Sequence, residues 1–135
     1  MKSLDGGYKG ALYNSSVETV VFENGLTSIP SQACYGAKSL KNVTIPATVN
    51  TIGSEAFYEC SALVNIVIPE SVTTIDARAF VLSGLTSLTL PSKLEFLGAS
   101  VLSGNKGVKE ITIPKTVNTM QSNDGGYKGT LNNSA

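Results

Sequence analysis

The sequence predicts a solenoid of the α/β class, about five stacked coils of roughly 23 residues each. Three observations lead there. The prolines of the Ile-Pro and Leu-Pro pairs, Pro46, Pro69, Pro91 and Pro114, fall 23, 22 and 23 residues apart. The stretch "IPATVNTIGSEAF" at 45–57 is rewritten as "IPESVTTIDARAF" at 68–80. Every copy also keeps one apolar frame, which in the third runs Leu63, Ile66, Ile68, Val72, Ile75, Ala79 and Phe80.

The first copy, "VVFENGLTSIPSQAC", has Glu23 where the others have proline, yet Phe22, Leu26, Ile29, Ala33 and Cys34 hold the places of Ile45, Val49, Ile52, Ala56 and Phe57. Within one copy two periods are mixed. Alternation at Ile66 and Ile68, in a β-branched context closed by Pro69, predicts a short strand whose intervening residue faces out. "SVTTI" predicts a second extended piece, and "DARAF" a turn or a single helical or 3₁₀ turn that aims Ala79 and Phe80 inward. The 22-residue step is placed in a turn, because Phe80 to Leu85 spans five residues where Phe57 to Leu63 spans six. One such coil cannot bury its own apolar residues, so stacking on neighbours is what makes it fold.

The residues of this frame closely resemble the BspA-like (Treponema-type) class of leucine-rich repeats, whose pattern, roughly L..I.IP..V..I...AF..C, is matched by "LKNVTIPATVNTIGSEAFYEC" at 40–60. The resemblance covers about residues 11–120. It departs at 94–102, "LEFLGASVL", where Val101 and Leu102 replace Ala-Phe, and at both ends. It implies an open, gently curved, right-handed leucine-rich-repeat superhelix. It also implies membership of a longer, surface-exposed or secreted bacterial or protist protein that binds a host or matrix protein.

Composition removes several function classes. The 135 residues are 41% hydrophobic and 15% charged, which predicts a folded domain over 1–135. Ten basic and ten acidic residues with no basic run argue against nucleic acid. No apolar stretch is long enough to insert in a membrane, and Met1 to Tyr8 lacks a signal-peptide core. The chain has no His, which removes the commonest general base and metal ligand, so no catalytic residue, metal or cofactor is expected and the chain is expected not to be an enzyme.

The ends carry a longer repeat: "DGGYKGALYNSS" at 5–16 returns as "DGGYKGTLNNSA" at 124–135. Polar glycine-rich loops are expected near 1–10 and 121–129, and the chain is expected to be a piece of a longer array whose ends can stack head to tail. Asp-Gly-Gly at 5–7 and 124–126 lacks the spacing of a phosphate or calcium loop and fits tight turns. Cys34 sits at an inward position and Cys60 one turn later in the next coil, which favours two buried thiols over a disulfide. The glycosylation sequons at Asn14, Asn42 and Asn132 are no more than a Ser-, Thr- and Asn-rich chain produces by chance.

Two kinds of candidate binding residue remain. The outward strand residues form two columns expected to line the concave face: Thr19, Asn42, Asn65, Ser87 and Glu110, beside Val21, Thr44, Val67, Thr89 and Thr112. Tyr8, Tyr35, Tyr58 and Tyr127 are candidate contact aromatics in turn or loop phases. Two functions fit: a protein-binding, adhesive module, or a structural spacer that self-assembles head to tail.

Overall fold

The structure, a computed structural model, describes residues 10–120. Seven short strands run along it: β1 (Thr19–Val21), β2 (Ser28–Ile29), β3 (Asn42–Thr44), β4 (Thr51–Ile52), β5 (Thr74–Ile75), β6 (Phe96–Leu97) and β7 (Thr119–Met120). They form two parallel sheets, β1-β3 and β2-β4-β5-β6-β7. The register repeats the sequence period: Ser28 pairs with Thr51, Thr51 with Thr74, Thr74 with Phe96, and Phe96 with Thr119. The one-residue contraction between β5 and β6 is absorbed before the sheet resumes.

The inward residues meet in one continuous core. Cys34, Phe57, Phe80 and Leu102, which share one position in successive coils, are at most 1% exposed. The Phe57 and Phe80 rings lie 5.4 Å apart and 4° from parallel, and Phe22 meets Phe57 edge-on at 6.5 Å. Val101 and Leu102 are buried in the copy that lost Ala-Phe, so the frame survives the substitution. The interior positions Ile45, Val49, Ile68 and Val72 are likewise buried, whereas Leu12, Val20, Phe22 and Leu26 at one end and Ile111, Ile113 and Val117 at the other are only partly covered.

Two local expectations are refined. The segment at "DARAF" and its copies forms no helix; among the described residues there is none. It is a pair of linked tight turns, each with a residue in the left-handed region: Gln32, Glu55, Arg78 and Ser100 in the first, and Asn14, Gly36, Glu59, Leu82 and Gly104 in the second. The reason lies in the hydrogen bonds. Alternate amides close turns onto the carbonyl three residues back, as Ala56 to Gly53, Tyr58 to Glu55 and Cys60 to Phe57. The amides between them point along the solenoid to the next coil, Glu55 to Ala77, Phe57 to Ala79 and Glu59 to Val81. A 3₁₀ helix would use every amide within its own coil and leave none for stacking.

The second refinement concerns the strand before the proline. Burial alternates there as expected, with Ile66 and Ile68 covered and Val67 80% exposed, but only β1 and β3 form a ladder at this position. In the third to fifth coils the segment is extended without ladder partners. The coils are already tied along β2-β4-β5-β6-β7 and through the turns, and the outward main chain can be hydrated instead. Hydroxyl groups add a further tie just past the prolines: Thr48 donates to the Leu26 carbonyl at 2.7 Å, Ser71 to Val49 at 2.6 Å and Thr116 to Leu94 at 2.6 Å. The polar segments expected near 1–10 and 121–129 lie almost wholly outside the described residues.

Candidate interaction surface

Strand alternation places every residue of the two predicted columns on the surface. Thr19 lies beside Asn42 and Val21 beside Thr44 through the β1-β3 register, and the Asn42 amide reaches the Thr19 hydroxyl at 3.5 Å. Farther along, Val21 is 65% and Val67 80% exposed. At the edge of the first two coils Lys41 and Glu18 form an ion pair of 3.1 Å. The columns thus make one continuous strip of hydroxyl, amide and valine methyl groups.

Between the fourth and fifth coils this strip opens into a cavity of about 430 Å³. It is lined by Leu88, Thr89, Leu90 and Ser92 on one side and Glu110, Ile111, Thr112 and Pro114 on the other. Three predicted residues, Thr89, Glu110 and Thr112, are therefore brought together at one hollow, while Thr19, Asn42, Thr44, Asn65 and Val67 occupy the flatter part. Ser87 lies one residue before the cavity wall. On the near side of the hollow, the exposed Glu70 carboxylate accepts from both the amide (2.8 Å) and the hydroxyl of Ser92, which hold it below the usual carboxylate range.

The turn side carries an aromatic column. Tyr35 and Tyr58 stack at 4.7 Å with parallel rings, and Tyr13 extends the stack at 6.4 Å. Tyr35 is covered on both faces by its neighbours and offers only its edge and hydroxyl. Partial burial, together with Tyr58, Glu59 and Glu55 nearby, raises its ionisation above the ordinary tyrosine value. Tyr13 was absent from the sequence-based candidates, although stepping back one repeat from Tyr35 would have found it. Gly36 makes room for it, because a Cβ there would strike the Tyr13 ring. Tyr8 and Tyr127 lie outside the described residues, as do both Asp-Gly-Gly stretches.

Neither thiol belongs to this surface. Cys34 and Cys60 are buried and unbridged, and burial pushes them up to about 11 and about 12. The Cys60 thiol donates to the Cys34 carbonyl at 3.1 Å. The same position in later coils is filled by Ser83 and Asn105, both buried, and the Asn105 amide donates to the Phe80 carbonyl at 2.5 Å and the Leu102 carbonyl at 3.2 Å. This is one polar column tying successive turns, and chemically it is inert: thiols held protonated and bonded to main chain are poor nucleophiles. No group of three or more His, Cys, Asp or Glu among the described residues is placed to hold a metal ion. No helix among them is long and apolar enough to cross a membrane.

Comparison with known proteins agrees with this architecture. The profile of the BspA type leucine rich repeat region matches residues 8–124 as six copies, one more than the five coils read from the repeated apolar frame. The chain is similar to the crystal structure of a leucine-rich repeat protein of T. pallidum, at a TM-score of 0.74 and 28% identity, over 82% of this chain and 54% of that one. It also shares its fold with a leucine-rich repeat protein of Bacteroides ovatus, at a TM-score of 0.63 and 21% identity, over 92% of this chain and 38% of that one. The chain thus spans about half or less of the length of either structure. No curated protein matches it significantly. With the repeat frame, the stacked coils and the family profile in agreement, the chain belongs to the BspA-type leucine-rich repeat family.

Proposed function

We propose that this chain is a non-enzymatic protein-binding module of a surface-exposed or secreted protein, and that it contributes to adhesion by binding a host or matrix protein. The observation that carries the reading is the continuous exposed strip from Thr19 to Thr112, whose main chain is largely free of ladder bonds in the later coils. Such an extended surface, offered by a scaffold held together elsewhere, is how a solenoid presents binding area. Membership of a repeat family supports an interaction role, and with both thiols buried and no histidine the chain lacks the commonest general base and an accessible cysteine nucleophile. The test is a binding screen of the chain against a panel of extracellular-matrix and host-surface proteins. Capture that is lost on Thr44→Arg or Val67→Arg supports the reading, and the absence of any partner dependent on this face contradicts it.

A second reading is a spacer that stacks head to tail. It is favoured by the partly covered apolar residues at both ends, Phe22 and Leu26 against Ile113 and Val117, and by the near-identity of 5–16 and 124–135. Such a contact pairs different patches and propagates instead of closing a dimer. Sedimentation at high protein concentration decides it: a concentration-dependent rise in mass supports stacking, and a strict monomer removes it.

A further inference from the structure

We propose that the hollow between the fourth and fifth coils is a docking slit for an extended peptide segment bearing a lysine or arginine, which inserts its main chain beside residues 87–90 and 110–113 and sets its cation against Glu110. The inference rests on the binding-module reading and narrows it to one place and one ligand chemistry.

The slit is closed at both ends and open in its middle. At one end Gly107 sits so near the preceding coil that a Cβ on it would lie 2.8 Å from the Leu85 carbonyl oxygen. At the other, the Thr116 hydroxyl donates to the carbonyls of Leu94 (2.6 Å) and Ser92 (3.0 Å), and β6 pairs with β7 just beyond. Between these ties no hydrogen bond links 87–91 to 109–113 among the described residues, whereas the same positions of the first two coils are fully paired as β1-β3. Two extended segments therefore face one hollow with main-chain donors and acceptors unused. That is the arrangement by which an added strand binds, its affinity coming from main-chain hydrogen bonds and its selectivity from side-chain pockets.

The lining says which side chains suit it. Leu88, Leu90 and Ile111 give apolar walls, and a cavity of about 430 Å³ is within the range of built ligand sites. Glu110 is the single carboxylate in the two outward columns and makes no ion pair with any described residue. A carboxylate at the rim of an apolar slit selects a cation and repels an acidic segment. An alternating apolar and polar strand with one central lysine satisfies all three features.

The probe is a fluorescein-labelled octapeptide alternating valine and threonine with one central lysine, followed by anisotropy and by amide hydrogen exchange. Saturable binding is expected, with new protection at 88–90 and 111–113. Glu110→Gln, an exposed change that leaves the core alone, should weaken binding about tenfold, and replacing the peptide lysine by norleucine should weaken it equally, with no further loss when both changes are combined. Thr112→Trp, which fills the slit from its rim, should abolish binding. Absence of saturable binding, or binding indifferent to both Glu110→Gln and Thr112→Trp, overturns the proposal. A protein partner that tolerates Thr112→Trp but is lost on Val67→Arg would uphold the broader surface and refute the slit, whereas peptide binding with no protein partner would refute the adhesive role and leave the slit standing.

Discussion

The two sides of each coil are held by different forces. On the side of β2-β4-β5-β6-β7 and the paired turns, main-chain hydrogen bonds run from coil to coil, as Gly53 to Ile29, Asp76 to Ile52 and Gly98 to Ile75, and the Phe57 and Phe80 rings stack beneath them. On the strip from Thr19 to Thr112 only the first two coils share a ladder, and beyond them the segments rely on Ile66, Ile68, Leu88 and Leu90 packing inward. A solenoid can therefore spare its backbone on one side. One bonded track fixes the coil spacing, so the opposite track can leave its main chain unpaired.

The bonded side is the more sensitive to substitution. Phe57→Ala removes a fully buried ring from between Phe22 and Phe80 and should cost about 3–5 kcal/mol, read as a drop in the denaturant midpoint. A loss under about 1 kcal/mol would mean the coils do not depend on this stack. Next comes alkali. The folded thiols are raised to about 11 and about 12, so their contribution is complete below their ordinary value near 9 and is lost as pH rises through the folded values. Together they should account for on the order of 6 kcal/mol by pH 12, and a Cys34→Ala/Cys60→Ser protein should show a shallower decline between pH 9 and 11. An unchanged slope would place the thiols in contact with solvent.

Smaller effects sharpen the picture. Asn105→Ala removes the bonds to Phe80 and Leu102 and should cost about 1–3 kcal/mol. Leu82, left-handed at φ 53 and 46% exposed, holds a conformation that glycine adopts without strain. Leu82→Gly relieves that strain but removes a half-buried side chain lying over Gly104, so the two effects should nearly offset and stability should change by less than about 1 kcal/mol, which calorimetry would check. Val67→Ser, on the open strip, should stay within about 0.5 kcal/mol.

The repeat frame was legible because burial enforces it: each inward position, from Cys34 to Leu102, must be apolar whatever its identity. The outward columns were legible for the complementary reason, since strand alternation fixes their direction. The left-handed turns were not, because Glu55, Arg78 and Leu82 lack the glycine signal that usually marks them, and their conformation is imposed by bonds to the next coil. Nor was the slit, because the sequences that line it, "SLTLP" and "EITIP", look as pairable as "ETVVF" and "KNVTI", which do pair. The polar column was hidden by its chemistry: Cys60, Ser83 and Asn105 share a place in the coil and a hydrogen-bonding role but no common residue type.

Native-state hydrogen exchange tests the division most directly. The amides of Gly53, Asp76 and Gly98, with those of Cys34, Phe57 and Phe80, should exchange only through global opening, while those of 65–68, 87–90 and 110–113 should exchange orders of magnitude faster in the same molecule. Equal protection on both sides would contradict the account, because it would mean that the strip is laddered throughout and that its backbone is not free to receive a partner.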